Sequence, residues 1–275
     1  MMRYFLQRRL RNASVSLAAL AILWWWVRAE HRALESTAFS TGYLLLGAVG
    51  FLALYNIRKK LPYLPLGSSA AWLQWHLYVG MGSVGVFALH AGVAVPEGVL
   101  DVVLAGVYLA TVGSGLVGLY LTRTIPAQLT RVGGEVIYER IPAYRQQIRE
   151  RAREVVLESV AASGATTLAD FYSARLLEYF DQPRALAYQL RPTTARRRAL
   201  MREMHDVRRY LSDQERDCCE RLFSLVRRKD DLDFQEARQK LLKQWLFIHI
   251  GLTCVLVLVA MLHGLLAHAF HGGVT

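Results

Sequence analysis

Two stretches decide the fold: WLQWHLYVGMGSVGVFALH at 72–90 and QWLFIHIGLTCVLVLVAMLH at 244–263. Each sets two histidines fourteen residues apart in an apolar run, His76 with His90 and His249 with His263. Fourteen residues are about four helical turns, which leaves the two imidazoles within about 40° of one helix face and about 21 Å apart along the axis. A bilayer's hydrocarbon core is about 30 Å thick, so such a helix carries one histidine towards each edge. Two such helices side by side present two facing pairs of imidazoles, and each pair is expected to clamp a haem iron.

Working outward from these stretches, 53% of the 275 residues are hydrophobic and the mean hydropathy is +0.21. That excess over an ordinary globular chain is modest. What matters is its clustering into runs long enough to span a bilayer. Cys218, Cys219 and Cys254 have neither a disulfide framework nor a zinc spacing, and no Cys-x-x-Cys-His is present for covalent haem. The formal charge of +11 would suit nucleic acid, but its placement follows membrane topology, so no nucleic-acid partner is expected.

Residues 1–12 carry Arg3, Arg8, Arg9 and Arg11 and no acid. The apolar run from Ala13 to Val27 ends in Trp24-Trp25-Trp26, where a signal peptide would want small residues. It reads as an uncleaved first span with an aromatic belt. A second span covers about Thr41 to Ile57 and stops at Arg58-Lys59-Lys60, which return the chain to the cytoplasm. Pro62, Pro65 and Gly67 mark a loop. A third span covers about Ala70 to Val95. The turn Pro96-Glu97-Gly98 leads into a fourth, from about Val99 to Leu121, with Arg123 and Arg131 on the cytoplasmic side. A fifth covers about Gln244 to Phe270, leaving the tail from His271 outside. Spans three and five then run parallel, which matches His76 to His249 at the inner edge and His90 to His263 at the outer edge.

The fold class expected is all-α: an integral membrane bundle of about five transmembrane helices with a helical cytoplasmic insertion between spans four and five. The domains expected are 1–122, 123–243 and 244–275. Residues 123–243 hold 24 basic and 18 acidic residues. Apolar positions at three- and four-residue spacing over Ile148–Val160 and Leu168–Phe180 predict helices. Ser212-Asp-Gln-Glu215 has the form of a capping box. Gly164, Asp181-Gln-Pro183 and Arg191-Pro192 punctuate the helices, and from Asp233 the pattern runs unbroken into span five. No strand–helix alternation supports a flavin or nicotinamide domain.

Histidine is costly inside a bilayer and usually marks function there, although a single one often serves only to hydrogen-bond a neighbouring helix. Bis-histidine ligation leaves iron no open position and suits electron transfer. The second ring nitrogen of each ligand should donate to a fixed acceptor, with Ser83, Thr111, Ser114 and Thr253 as available polar groups. Gly80, Gly82, Gly85, Gly106, Gly113, Gly115, Gly118, Gly251 and Gly264 give a flat macrocycle room, or simply let helices pack closely. Gly113-Ser-Gly115-Leu-Val-Gly118 matches G-x-G-x-x-G but lies inside an apolar span, without the strand that gives the motif meaning. His268 and His271 read as exposed tail residues, and His31 and His205 as solvent-facing. Arg58, Lys59, Lys60, Arg123 and Arg131 read as topology anchors, with haem propionates as a secondary role. Arg196-Arg197-Arg198 and Arg227-Arg228-Lys229 read as solvated helix faces that anionic head groups would also suit.

Trp75-His76, His90, His249 and His263, together with Gly-Leu-Tyr-Leu-Thr-Arg-Thr-Ile-Pro at 118–126, resemble the ferric reductase-like and cytochrome b561-like membrane cytochromes. In that family parallel helices hold two b-haems stacked across the bilayer. The 118–126 segment is similar to one in bacterial b-type cytochromes that work beside multihaem partners. Two departures stand out: the flavin and nicotinamide domains of full ferric reductases are missing, and the long insertion is unlike the compact core. The resemblance implies two haem b groups and a multi-pass protein of a bacterial inner membrane, N-terminus cytoplasmic and C-terminus extracytoplasmic. It would contact membrane lipid and pass electrons between quinone or a cytoplasmic-side protein and an extracytoplasmic partner such as a multihaem cytochrome. It is thus expected to be an electron-transfer subunit of an oxidoreductase complex. The rival readings are a self-contained quinone or metal reductase at the outer haem, and a non-redox membrane scaffold or signalling protein.

Overall fold

The computed structural model describes residues 38–60, 68–92, 98–132, 136–182 and 184–271, together with Ser14, Ala18, Ala21, Ile22, Trp24 and Trp25 at helical positions. Among the described residues every regular element is helical. The first span as a whole, His31, the loop with Pro62, Pro65 and Gly67, the Pro96-Glu97 part of the turn and the tail at 272–275 lie outside the described residues. The chain divides into two compact units, Met1–Val117 with Phe247–Thr275 and Gly118–Leu246.

In the first unit, α1 covers Ala38–Lys60, α2 covers Ser69–Ala91 and α3 begins at Val99. The fourth helix is the C-terminal part of α9, which covers Asp213–His271. Helices long and apolar enough to cross a membrane are found at Ala38–Asn56, Val99–Arg131 and Asp213–Phe270, and they mark a membrane protein. Helix α2 is 23 residues long and holds no charged side chain. It falls outside that set, and its run carries two histidines, Gln74, Trp72 and Trp75. Ser68 starts it by accepting the Ala71 N–H on its hydroxyl at 3.2 Å, the usual role of an N-cap serine.

The contacts fix the helix directions. Tyr55 meets His76, the Gly80 backbone nears Leu52 and Thr41 meets His90, so α1 and α2 are antiparallel. Ser114 and Asp101 of α3 meet His249 and His263, so α3 and α9 are antiparallel too. His76 meets His249 and His90 meets His263. Helices α2 and α9 are therefore parallel. Val49, Tyr108 and Leu256 form the small buried core, while Phe247, Leu258 and Phe270 stand exposed. So many exposed apolar side chains would drive association in water, whereas a bilayer solvates them.

In the second unit, a 3₁₀ turn at Tyr138–Arg140 leads into α4, Ile141–Ser163. Gly164 ends that helix at φ +67°, its N–H donating to the Val160 carbonyl at 2.9 Å. This left-handed position favours glycine. Helix α5 (Thr167–Phe171) passes through a π turn at Tyr172–Leu176 into α6 (Leu177–Asp181), followed by α7 (Leu186–Leu190) and α8 (Ala195–Val207). The reciprocal capping box predicted before α9 is present. Ser212 N–H donates to Glu215 Oε2 at 3.1 Å and Glu215 N–H donates to Ser212 Oγ at 3.4 Å. Ile148, Ala152, Leu168, Leu176, Met204 and Leu222 lie in the core of this unit. Leu121, Ile125 and Leu129 of α3 pack against Phe234, Leu241 and Trp245 of α9. Gly118 lies so near the Trp245 ring that a β-carbon there would collide with it, so close approach forbids a side chain at this position.

Lys229 departs from the solvated-face expectation. It is 0% exposed, and its ammonium donates to Asp233 Oδ2 at 2.6 Å. Arg184 reaches Asp230 at 2.5 Å and Asp233 at 2.9 Å, and Arg145 reaches Asp233 at 3.3 Å. Burial lowers the Lys229 pKa and raises that of Asp230. Both shifts work against charge, and the mutual pairing is what retains it. Arg227, Arg228, Arg196 and Arg198 are exposed as expected.

Burial also pushes the Cys219 thiol up to about 11. An unfolded thiol titrates near about 8.5, so between these values the folded chain binds the extra proton. Raising the pH through that window therefore lowers stability. At pH 8 a water-soluble thiol reagent should modify Cys219 more than about a hundredfold slower in the folded chain than in denaturant, because the thiolate is the nucleophile. Equal rates, read by mass spectrometry, would refute the burial.

Candidate functional site

The structure brings the four histidines together as two pairs. His76 and His249 have ring centroids 6.4 Å apart with planes at 75°. His90 and His263 also stand 6.4 Å apart, with planes at 90°. The equal spacing follows from the sequence: fourteen residues on each of two parallel helices keep the pairs level, about 21 Å from one to the next.

The Nδ1 atoms of three of these rings are held. His90 Nδ1 lies 3.0 Å from Thr41 Oγ1, and that hydroxyl already donates to the Ala38 carbonyl at 3.2 Å. The hydroxyl oxygen is thus left to accept the ring N–H. His249 Nδ1 lies 3.3 Å from Ser114 Oγ, and His263 Nδ1 lies 3.0 Å from Asp101 Oδ1. His76 packs against the Tyr55 ring at 5.0 Å between centroids. Anchoring Nδ1 selects the tautomer whose Nε2 lone pair is available to a metal.

These residues fit a haem. Both pairs set their ring centroids 6.4 Å apart, close enough for the two imidazoles of a pair to share one metal. Among the described residues no group of three or more His, Cys, Asp or Glu is arranged to hold a metal ion. Added β-carbons at Gly82, Gly106, Gly113, Gly251 and Gly264 would meet nothing within 4 Å.

Of the four polar groups available to the rings, Ser114 is the one placed against one of them. Ser83 donates to the Gly80 carbonyl at 2.8 Å and bonds the Tyr108 hydroxyl at 2.9 Å. Thr111 donates to the Val107 carbonyl, and Thr253 to the His249 carbonyl. Thr41, Asp101, Tyr55 and Gly42 escaped the sequence reading. A β-carbon on Gly42 would come within 2.9 Å of His90 Cε1, so glycine there lets α1 close on the ring. Asp101 did leave a signal, being the single acid in the helical segments 38–60, 69–91, 99–117 and 247–271. An acid inside an apolar span is costly enough to mark a role.

His268 is exposed, yet it bonds Tyr43 and lies 5.2 Å from the Phe39 ring. His205 is exposed as expected. The glycine-rich 113–118 run lies wholly inside α3, with no strand before it among the described residues. No family model, curated protein or solved structure matches the chain.

Proposed function

We propose that the chain is a di-haem b-type electron carrier of a membrane, with His76 and His249 holding one haem and His90 and His263 the other. Bound in this way, haem supplies reversible one-electron exchange without an open position for substrate. The observation that carries the reading is the pair of equal ring separations, 6.4 Å each, on two parallel helices. Thr41, Ser114 and Asp101 orient the rings, and the apolar helices around them exclude water.

The finer parts of this reading concern topology and partners. Counting the apolar run at 13–27 and helix α2, the bundle has five spans. The Arg-rich start and the Arg58-Lys59-Lys60 run place the N-terminus and residues 123–243 in the cytoplasm of a bacterial cell. Electrons enter from quinone or a protein on one side and leave to a redox protein on the other. The charged second unit is the docking platform.

The test is a reduced-minus-oxidised spectrum of the purified chain from haem-replete cells, with haem extracted and quantified. About two b-haems per chain are expected. Purified, folded protein without a Soret band would overturn the reading and favour a scaffold.

A further inference from the structure

We infer that Asp101 sets the His90–His263 site apart from the His76–His249 site by acting as the hydrogen-bond acceptor that makes His263 an electron-richer ligand. The inference rests on the haem reading above.

Three of the rings are held by unlike partners. His263 Nδ1 meets a carboxylate oxygen of Asp101 at 3.0 Å. Its counterpart on α9, His249, meets the neutral Ser114 hydroxyl at the longer distance of 3.3 Å. His90, on α2, also meets a neutral hydroxyl, that of Thr41. His263 thus has a carboxylate on its outer hydrogen bond where His249 and His90 have hydroxyls.

A hydrogen bond to an ionised acceptor is about twice as strong as one between neutral groups. It draws the Nδ1 proton towards oxygen and leaves more electron density on the opposite nitrogen, raising the basicity of the ligand. A more basic axial ligand favours ferric over ferrous iron, one of the levers by which a protein sets a haem potential. Position makes the effect specific. Asp101 and His263 lie on antiparallel α3 and α9, so the carboxylate in the first turn of α3 faces the second histidine of α9. The side chain of Asp101 is 49% exposed and that of His263 33%. Neither side chain is sealed inside the bundle.

A merely structural role exists as well, since an acid in the first turn of a helix favours the helix dipole. That role would move stability without moving one haem's potential, so the potential is the discriminating readout.

The experiment compares the purified full-length wild type with Asp101→Asn and Asp101→Glu. Haem is first quantified, then each variant is titrated optically against redox mediators. The titration of His263→Ala, which retains the other site alone, assigns the two steps. For Asp101→Asn, two haems per chain and a tenfold or larger shift towards ferrous iron at the His90–His263 site are expected, about 59 mV upward for a one-electron couple. The other step should stay in place. Asp101→Glu, which keeps the charge, should move that step by less than half as much.

Three outcomes overturn the inference: both steps unchanged in Asp101→Asn, both steps shifted together, or loss of one haem in that variant, because a carboxamide oxygen still accepts the ring N–H. A wild type that binds no haem is seen before any titration and overturns the parent reading instead.

Discussion

Replacing His249 by alanine is expected to halve the haem content of the purified chain, from about two per molecule to about one, and replacing His76 should remove the same haem. The expectation comes from ring pairing: His76 faces His249 and His90 faces His263, each at 6.4 Å between centroids. Losing even an outer hydrogen-bond partner typically costs 10–100-fold in metal affinity, and losing one of only two axial ligands should cost more. The pairing supplies the stringent part of the test. His90→Ala and His263→Ala should both retain the haem that His76→Ala loses. The double variant His76→Ala with His249→Ala should look like either single one, while His76→Ala with His263→Ala should bind none. If His76→Ala and His249→Ala lost spectroscopically different haems, the pairing would be wrong.

The second large effect belongs to the core of residues 118–246. Asp233→Ala should destabilise this unit by about 3–5 kcal/mol, the usual cost of removing one member of a buried charge network. Its carboxylate is fully buried and meets Lys229 at 2.6 Å, Arg184 at 2.9 Å and Arg145 at 3.3 Å. Without it, the Lys229 ammonium stays in a dry core with its hydrogen-bond acceptor gone. Such a loss corresponds to a fall in Tm of roughly 10–20 °C for a unit of this size. Asp206→Ala is the control, because the Arg209–Asp206 pair is exposed on both sides and such pairs contribute little. Thermal melts of the full chain in detergent, followed by circular dichroism, make the comparison. Equal melting of the two variants would show that the network does not hold the core together.

The paired histidines were legible because a helix repeats its faces on a fixed period, and a fourteen-residue spacing shows as plainly in a string of letters as in space. Their supports were not legible in the same way. Thr41 and Asp101 read locally as helix-start residues, and only the antiparallel neighbours of α2 and α9 bring them to the rings. Helix α2 shows a related effect. The histidines that give it a site also interrupt its apolar run, and it is not among the helices long and apolar enough to cross a membrane. Lys229 misled for a further reason. A lysine beside two arginines with an aspartate four residues on has the pattern of a surface pair, but α9 turns that face inward against Tyr179, whose ring lies 4.6 Å from the Lys229 ammonium. Local spacing reports which residues share a face, whereas burial depends on what covers it.

The two halves of each histidine pair are also separated in time. His76 and His249 stand 173 positions apart, as do His90 and His263, so at about 5–20 residues per second the ribosome takes roughly 9–35 s to follow one with the other. During that interval α2 is already made, while the α9 imidazoles that its own will face are not. The residues that will form unit 2 are emerging between them. A newly made chain therefore passes through a stage in which half of each site is waiting, and any factor that delivers a cofactor must act after α9 arrives or protect α2 until it does.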